Sequence, residues 1–453
     1  MNLLDALYLP AAVATAPWWA RKARGGWNER FGRIDELPPA PAGRKRILLH
    51  AVSVGEVNTL RSLVPLLAEH ADVVVSVTTD TGLARARALF DADQAALGSP
   101  PPATVVRYPL DFSPAVKRFL DAVKPDAIGL IELELWPNFV AECGRRGVPV
   151  CVINGRLSAR SFRGYHRFRS FFARTFSAIE FAAVQDAAYA ERFEAMGVRA
   201  DHIRITGSMK WDSVSLVAHV PGAEELADNL GIDRSRPLIV GGSTGPLPEP
   251  SAHALYHANK GRFVTLSARE AAKLGEEGLL HAACPEGSQL LCAPRKPERF
   301  DEAFAALGGE ARCIRRSVTK NAPVPPAAHQ HDRFLLDTIG ELRAAYSLAD
   351  IAIVGRSFGD LHGSDPIEPI ALGKPTLIGP RFGDFDSIVQ TFRAAGAIEV
   401  VDAPDLARTL AALLADRPRC AAMAEAGRQC VRKNQGATAI HAQMLLELVG
   451  TPE

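Results

Sequence analysis

The sequence predicts an α/β protein with two Rossmann-like, doubly wound domains that face each other across a central cleft. Short β-branched runs such as Val73–Val77 alternate with helix-like segments, as expected for parallel strands buried on both faces. The alternation stops between Asp212 and Asp233 and then begins again. A chain of 453 residues is also too long for one ordinary core, so we expect two domains.

In the first half of the chain, predicted strands and helices alternate regularly. The strand candidates are 46–53, 72–79, 103–108, 127–133, 148–153, 180–185 and 203–206. Helices are predicted between them, at about 56–69, 81–90, 113–123, 138–146, 158–177 and 187–196. This order predicts a sheet with helices on both faces.

A second alternating series predicts a second sheet. Its strand candidates are 237–242, 289–293, 311–315, 333–336, 351–355, 375–379 and 398–401, and helices at about 404–416, 418–432 and 436–449 close the chain. We therefore predict a membrane-associating segment, an N-terminal Rossmann-like domain, a linker, a C-terminal Rossmann-like domain and a final helix. Their bounds are 1–32, 33–212, 213–234, 235–435 and 436–453.

Composition narrows the functional class. The formal net charge is +1, whereas a nucleic-acid-binding domain is usually strongly basic, so we expect no nucleic-acid partner. The seven cysteines are scattered and form no CxxC pair. This pattern indicates neither a disulfide framework nor a zinc site and favours a reducing compartment.

The N-terminal segment is almost wholly apolar from Leu3 to Trp19. It is at the short end for crossing a bilayer, which takes about 20 apolar residues. Trp18 and Trp19 precede a cationic cluster that ends at Arg24, a pattern typical of the membrane interface with its basic side in the cytoplasm. Peripheral or N-terminal membrane attachment is the favoured interpretation, and a helix packed on the first domain is the alternative.

The first predicted strand leads directly into a carboxylate. Residues 46–53 are followed after two residues by Glu56, where the strand gives way to a helix. Ligands of such sheets bind outside the carboxyl ends of the strands, so Glu56 is a candidate general base. The structural alternative is a capping box, because Ser53–Glu56 fits the S/T-x-x-E pattern that satisfies free amides at a helix start.

Two further strands of the first half end in charged residues. The fourth leads into Glu132 and Glu134, and the fifth leads into Arg156 and Arg160. Glutamates and arginines at one sheet edge are more than capping requires. They would supply a base, orienting acids and anion-binding guanidinium groups in one crevice.

The stretch between Gly155 and Thr175 carries six arginines, no acid and interleaved aromatic residues. One interpretation is an amphipathic helix that buries its aromatic rings and leaves a solvated basic face. Another is a surface for an anionic amphiphile or an anionic membrane. Stacking on RNA bases is a third option, although no RNA-binding motif accompanies the stretch.

Glycine-rich and charged segments follow strands of the second half. Gly241–Gly245, which includes Ser243, forms a turn of the kind that brings backbone amides close to phosphate. Arg295 stands at the end of the next strand and suits a phosphate. Ile339–Gly340 and Glu368 lie at two further helix starts, where Glu368 would accept hydrogen bonds from a ribose or simply stabilise the first helical turn.

Taken in order, these segments resemble the Kdo transferases, which add 3-deoxy-manno-octulosonic acid (Kdo) to lipid A precursors. The similarity covers nearly the whole chain. The matching segments are Glu29–Gly32, His50–Val57, Glu132–Asn138, Asn154–Ser161, Gly207–Asp212, Ala293–Phe300, Asp337–Leu342 and Glu368–Pro369. Two segments depart from the family. It usually has a His-Asn pair where this chain has Ser364 and Asp365, and the segment between Thr244 and Leu290 matches the family poorly.

The resemblance implies a GT-B-type glycosyltransferase that moves Kdo from CMP-Kdo to lipid IVA with inversion, at the cytoplasmic face of the inner membrane. It implies no metal cofactor, since arginine and helix amides can stabilise the single phosphate that leaves. The implied residues are Glu56 as catalytic base, Glu132, Glu134, Arg156 and Arg160 for the acceptor, and Lys210, Ser243, Arg295, Ile339, Gly340 and Glu368 for the donor. The alternatives are a lipid-binding protein with a degenerate transferase fold and a transferase for another nucleotide sugar.

Overall fold

The structure is a computed structural model of the chain. It describes residues 5, 6, 8, 25–91, 102–217, 219–247, 268–320 and 331–450, without the side chains of 268–273 and 384. Most of the predicted membrane-associating segment therefore lies outside the described residues. None of the helices in the described part is long and apolar enough to cross a membrane.

The first half of the chain forms a parallel sheet of seven strands in the order β3-β2-β1-β4-β5-β6-β7. The strands are β1 (Arg46–Ala51), β2 (Asp72–Val77), β3 (Thr104–Arg107), β4 (Ala127–Ile131), β5 (Val150–Gly155), β6 (Ala182–Val184) and β7 (Ile203–Ile205). Every residue of β1, β4 and β5 is buried, because helices cover both faces of the sheet. The predicted doubly wound sheet is confirmed.

The helices of this half connect the strands. They are Trp27–Arg30, Val54–Thr59, Leu63–Ala68, Asp80–Phe90, Ser113–Val123, Pro137–Arg146, Ala159–Arg167, Arg169–Phe176 and Ala187–Met196, with 3₁₀ turns at Ala200–His202 and Met209–Ser213. The helix predicted at 56–69 is two helices, since Pro65 has no amide hydrogen and its ring disfavours a continuous helix. The helix predicted at 158–177 is broken at Phe168.

The second half forms another seven-stranded parallel sheet, in the order β10-β11-β9-β8-β12-β13-β14. Its strands are β8 (Leu238–Thr244), β9 (Gln289–Pro294), β10 (Cys313–Arg315), β11 (Arg333–Leu335), β12 (Ile351–Val354), β13 (Thr376–Ile378) and β14 (Ile398–Val400). Its helices are Ala223–Leu230, Ala268–Ala283, Phe300–Ala306, Arg316–Thr319, Leu342–Leu348, Ile367–Ala371, Asp386–Ala394, Leu406–Ala415 and Arg417–Asn434. The 3₁₀ turns are Pro297–Arg299, Gly309–Ala311, Gly383–Phe385 and Ala403–Asp405.

The chain divides into two compact units. Unit 1 comprises Met1–Ser213 and Asn434–Glu453, and unit 2 comprises Val214–Lys433. The final helix, Ala437–Leu448, belongs to unit 1 and contributes Leu445 to its core. The stretch predicted as a linker, 213–234, lies almost wholly in unit 2, where helix Ala223–Leu230 is part of the hydrophobic core.

Candidate functional site

The strand order of each sheet reverses at one place, and in unit 1 two of the candidate residues lie beside that reversal. In unit 1 the reversal lies between β1 and β4, and in unit 2 it lies between β8 and β12. Open α/β sheets bind ligands outside the carboxyl ends of the strands at such a reversal. Glu56 follows β1 and Glu132 follows β4, so the topology brings these two carboxylates to the same edge of unit 1.

Glu56 takes part in the capping of its own helix. The Ser53 hydroxyl accepts a hydrogen bond from the Glu56 amide at 3.4 Å and donates one to Glu56 Oε1 at 2.9 Å. The backbone amide of Val52 donates to Glu56 Oε2 at 2.7 Å. These contacts fix the direction of the carboxylate, so the helix start that the capping pattern predicted also orients the candidate base.

The carboxylates at this edge interact electrostatically. Burial raises the pKa of Glu56, and the negative charge of Glu132 raises it further, while the hydrogen bonds from Val52 and Ser53 lower it. Burial raises the pKa of Glu134 to about 7, with a further contribution from the charge of Glu56. A carboxylate with a raised pKa is a stronger base, which suits general-base chemistry near neutral pH.

The turns after β4 and β5 are joined beside this cluster. Glu132 has a left-handed backbone with φ of +60°, and its carbonyl accepts a hydrogen bond from the Arg156 amide at 3.3 Å. The Arg156 guanidinium donates to the Tyr189 hydroxyl at 3.4 Å. The Trp136 indole donates to Glu134 at 3.1 Å. The backbone of Arg156 thus lies next to the turn that carries Glu132, and its guanidinium contacts Tyr189.

The basic aromatic stretch forms two exposed helices. No residue of helix Ala159–Arg167 is buried, and Arg160 lies in its exposed first turn. Phe168, at the break between the helices, is 59% exposed, and Phe171 in the second helix is 42% exposed. The other exposed arginines of the pair are Arg163, Arg167, Arg169 and Arg174. The surface therefore combines cationic groups with accessible aromatic rings.

The position of Asn154 at the end of β5 depends on the final helix, which sequence analysis did not connect to this site. Asn154 is fully buried with φ of +52°. Its backbone amide donates to His441 Nε2 at 2.9 Å, and its side-chain Oδ1 accepts from the Met209 backbone amide at 3.0 Å. Burial lowers the pKa of His441, which favours the neutral ring that can accept this hydrogen bond.

Two described residues of the N-terminal segment pack against the same unit. Asp5 is fully buried and accepts hydrogen bonds from the Ser113 amide at 2.8 Å and from the Asn138 side chain at 3.2 Å. The Tyr8 hydroxyl donates to Asp111 at 3.0 Å. These contacts agree with the packed-helix alternative at Asp5 and Tyr8, and Trp18 and Trp19 lie outside the described residues.

In unit 2, each of the two strands beside the reversal has a residue with a left-handed backbone at or just after its end. Ser243 in β8 has φ of +56°, and Arg356, just after β12, has φ of +59°. The Gly245 amide, which the glycine-rich pattern suggested for phosphate, instead donates to the buried carboxylate of Glu276 at 2.8 Å. Sequence analysis did not identify Glu276. That part of the phosphate prediction is therefore wrong, because an internal anion occupies the amide.

Of the other predicted donor residues in unit 2, Arg295, Ile339 and Gly340 lie in the stretches that follow β9 and β11, whereas Glu368 lies in the first turn of helix Ile367–Ala371. The Arg295 amide donates to the Thr244 carbonyl at 3.0 Å, which joins the ends of β9 and β8, and the Arg295 side chain is exposed. Ile339 is 78% exposed, and Gly340 beside it has φ of +96°. Glu368 lies 3.7 Å from the Arg343 guanidinium. Lys210 belongs to unit 1, in the turn Met209–Ser213.

The unusual pair Ser364 and Asp365 has a structural consequence. Asp365 Oδ1 accepts a hydrogen bond from the Ile367 amide at 2.9 Å at the start of the short helix Ile367–Ala371. Part of the extra negative charge is thereby used to satisfy the backbone.

Across the described ranges, no three histidine, cysteine or acidic side chains lie close enough to hold a metal ion.

The sequence of the chain is similar to a known protein family and to enzymes of two other bacteria. Residues 25–213 match the family model described as 3-deoxy-D-manno-octulosonic-acid transferase. The Kdo transferase of Bordetella pertussis is 32% identical over 428 residues, which cover 92% of each chain. The enzyme of Haemophilus influenzae is 29% identical and covers 93% of this chain and 90% of its own.

Solved structures show the same architecture at low sequence identity. The HepE protein of Anabaena in complex with UDP is 12% identical, with a TM-score of 0.55, and covers 89% of this chain and 99% of its own. A glycosyltransferase from Rickettsia africae is 11% identical, with a TM-score of 0.54, and covers 90% of this chain and all of its own. The fold is that of GT-B glycosyltransferases, and the extent of the match to its relatives establishes that the chain belongs to the Kdo transferase family of glycosyltransferases.

Proposed function

We propose that the chain is an inverting glycosyltransferase that moves Kdo from CMP-Kdo to lipid IVA and releases CMP. The observation that carries the proposal is the cluster of Glu56, Glu132 and Glu134 at the strand reversal of unit 1, where burial raises the pKa of Glu56 and of Glu134. Family membership supports Kdo as the transferred sugar.

Glu56 acts as the general base. Its ionised carboxylate takes the proton of an acceptor hydroxyl while that oxygen forms a bond to the anomeric carbon of Kdo. The bond from that carbon to the CMP phosphate oxygen breaks on the opposite face, and CMP leaves with the electron pair. General-base assistance of this kind contributes about 10²- to 10⁴-fold in rate. The charge of Glu132 raises the pKa of Glu56 and so keeps the base strong, and Glu132 and Glu134 orient the acceptor.

The acceptor side uses the basic surface of unit 1. Lipid IVA is an anionic amphiphile, and Arg156, Arg160 and the exposed helices that follow them offer guanidinium groups beside accessible aromatic rings. Arginine suits phosphate because its planar fork donates two hydrogen bonds at once. The same surface would hold the enzyme against the anionic cytoplasmic face of the inner membrane.

Most of the residues proposed for the donor lie in unit 2, and Lys210 lies in unit 1. Ile339 and Gly340 would contact the cytosine, Glu368 the ribose hydroxyls, and Arg295, Ser243 and Lys210 the phosphate. The exposure of Ile339 and of the Arg295 side chain supports these roles, because both side chains are accessible to a ligand. We propose that no metal takes part, since cationic side chains can stabilise one departing phosphate.

The direct test is a transfer assay. The protein is incubated with CMP-Kdo and lipid IVA, and the product is analysed by mass spectrometry and by NMR of the new anomeric centre. We expect the mass of lipid IVA plus Kdo, with inverted configuration. A protein that only bound lipid would give no product and no heat with CMP in calorimetry. Turnover with another nucleotide sugar, but not with CMP-Kdo, would contradict the proposed donor.

A further inference from the structure

Glu276 is a buried carboxylate held entirely by backbone amides. It is 1% exposed and comes directly after Gly275, whose φ of +57° interrupts the helical segment. Its two carboxylate oxygens accept four hydrogen bonds of 2.6–3.0 Å, two on each oxygen. The donors are the amides of Gly245, Arg356, Ser357 and Phe358.

These amides do not belong to one helix start, so Glu276 is not an ordinary cap. Gly245 follows β8, and the other three donors follow β12 in a stretch without regular structure. β8 and β12 are neighbours at the strand reversal of unit 2. One side chain from a third element therefore ties together the two strand ends between which a ligand of this fold binds.

The backbone at these strand ends needs such support. Ser243 and Arg356 both have left-handed φ angles, at +56° and +59°. Left-handed conformations are unfavourable for residues with a side chain and persist only where the surrounding structure fixes them. The hydrogen bond of 2.6 Å from the backbone amide of Arg356 to Glu276 directly holds one of these two residues in place.

A second buried acid supports the same region. Glu277 is fully buried and forms two hydrogen bonds of 3.0 Å with the Arg299 guanidinium. It also accepts from the Thr244 hydroxyl at 2.6 Å. The pair Glu276 and Glu277 thus holds the end of β8 through backbone and side chain, and Arg299 balances part of the charge.

We propose that Glu276 is a positioning residue for the donor: it holds the turns after β8 and β12 in the conformation that receives the phosphate of the nucleotide sugar. This inference rests on the proposed function, in which unit 2 binds CMP-Kdo. Glu276 acts through the backbone, because its oxygen atoms are already used by the four amides.

The test is Glu276→Gln, with CMP affinity measured by calorimetry and with the KM for each substrate. The NH₂ group of the glutamine cannot accept a hydrogen bond, so the two backbone amides that face it would lose their acceptor. We expect CMP to bind about 10- to 100-fold more weakly, as leaving buried donors unsatisfied implies. The KM for CMP-Kdo should rise in parallel, while the KM for lipid IVA stays unchanged.

A control separates positioning from general stability. Gln289 is fully buried at the amino end of β9, where it accepts from the Asp233 amide at 2.9 Å and donates to its carbonyl at 2.8 Å. Gln289→Leu should lower the melting temperature of unit 2 and leave CMP affinity intact. Equal losses of affinity in the two variants at equal destabilisation would overturn the positioning role.

The wild-type protein distinguishes this inference from the proposed function. If wild type does not bind CMP, the proposed donor is wrong. If wild type binds CMP and Glu276→Gln binds it equally well in a folded protein, the donor stands and the role of Glu276 is refuted. Weaker binding by Glu276→Gln alone supports both.

Discussion

At the scale of single residues, the half-buried carboxylates that follow β1 and β4 set the electrostatics of the candidate site. A helix start normally favours the ionised carboxylate and so makes it a weaker base. At Glu56, burial and the charge of Glu132 act in the opposite direction and raise its pKa. The capping contacts from Val52 and Ser53 hold the group in place at the same time. One side chain therefore serves both the helix start and the proposed reaction.

The first prediction concerns the proposed base. In Glu56→Gln, we expect kcat to fall about 10²- to 10⁴-fold because the amide cannot accept the proton. CMP affinity, measured by calorimetry, should not change. Glu69→Gln, at an exposed position of the same unit, serves as the control. Wild-type turnover by Glu56→Gln would remove Glu56 from the mechanism.

The second prediction concerns pH. The proposed base must be ionised, so kcat/KM should rise as the pH increases through the pKa of Glu56. The negative charge of Glu132 disfavours the ionised form and raises that pKa. In Glu132→Gln the pKa of Glu56 falls, and the acidic limb of the pH–rate profile should move to lower pH. A limb that stays in place would show that the two groups are not coupled.

Sequence analysis identified residues whose role follows from their place at a strand end and missed those that act from far along the chain. Glu56 and Arg156 follow predicted strands and Glu132 lies at the end of one, and parallel topology alone brings these strand ends to one edge. Glu276 is 80 residues from Arg356, and His441 is 287 residues from Asn154. No local pattern encodes such a pairing, because it arises only when the sheets are assembled.

At the scale of elements, Asp5 connects the starts of two helices of unit 1. Asp5 satisfies the amide of Ser113 at the start of one helix and the side chain of Asn138 at the start of another. Helix Pro137–Arg146 comes directly after the turn that carries Glu134. Asp5 therefore helps to hold the start of the helix that follows this turn.

The third prediction follows from this contact. Asp5→Ala leaves buried donors without an acceptor, so we expect a loss of about 1–3 kcal/mol in the free energy of unfolding, measured by urea denaturation. Glu36→Gln should have no effect, because Glu36 pairs with Lys124 at the exposed surface. Unchanged stability in Asp5→Ala would contradict the buried position of this side chain.

The fourth prediction concerns the exposed basic helices. Reversing Arg163 and Arg167 to glutamate should weaken binding to anionic phospholipid vesicles by at least about tenfold, since each basic group near such a surface contributes about 1 kcal/mol. Sedimentation with vesicles measures the effect, which should shrink as salt increases. Arg408→Glu, an exposed charge reversal in unit 2, is the control. Equal losses in both would indicate nonspecific attraction.

At the scale of the whole molecule, the two sheets were predictable because each repeats a simple alternation of buried strands and helices. The unit to which the last helix belongs was not predictable from the sequence. Ala437–Leu448 follows unit 2 in sequence but packs in unit 1, where Asp212 accepts from the amides of Gly436 and Thr438 at 2.7 and 2.6 Å. Its apolar residues alone do not reveal which core they complete.

The fifth prediction tests this assignment. Leu445 is fully buried in the core of unit 1, and Leu445→Ala should cost about 2–5 kcal/mol. In differential scanning calorimetry, the transition that CMP does not shift should move to lower temperature. Leu410→Ala, in the core of unit 2, should move the CMP-sensitive transition instead. The reverse pattern would contradict the division of the chain.

The return of the last helix to unit 1 has a consequence for synthesis in the cell. All of Val214–Lys433 must leave the ribosome before Leu445 and His441 can join the first sheet. At about 5–20 residues per second, this delay is on the order of 10–45 s. Unit 2 is a continuous segment and can thus fold on the ribosome, whereas Asn154 in β5 cannot yet form its hydrogen bond with His441. The proposed transferase would become competent only after helix Ala437–Leu448 is made.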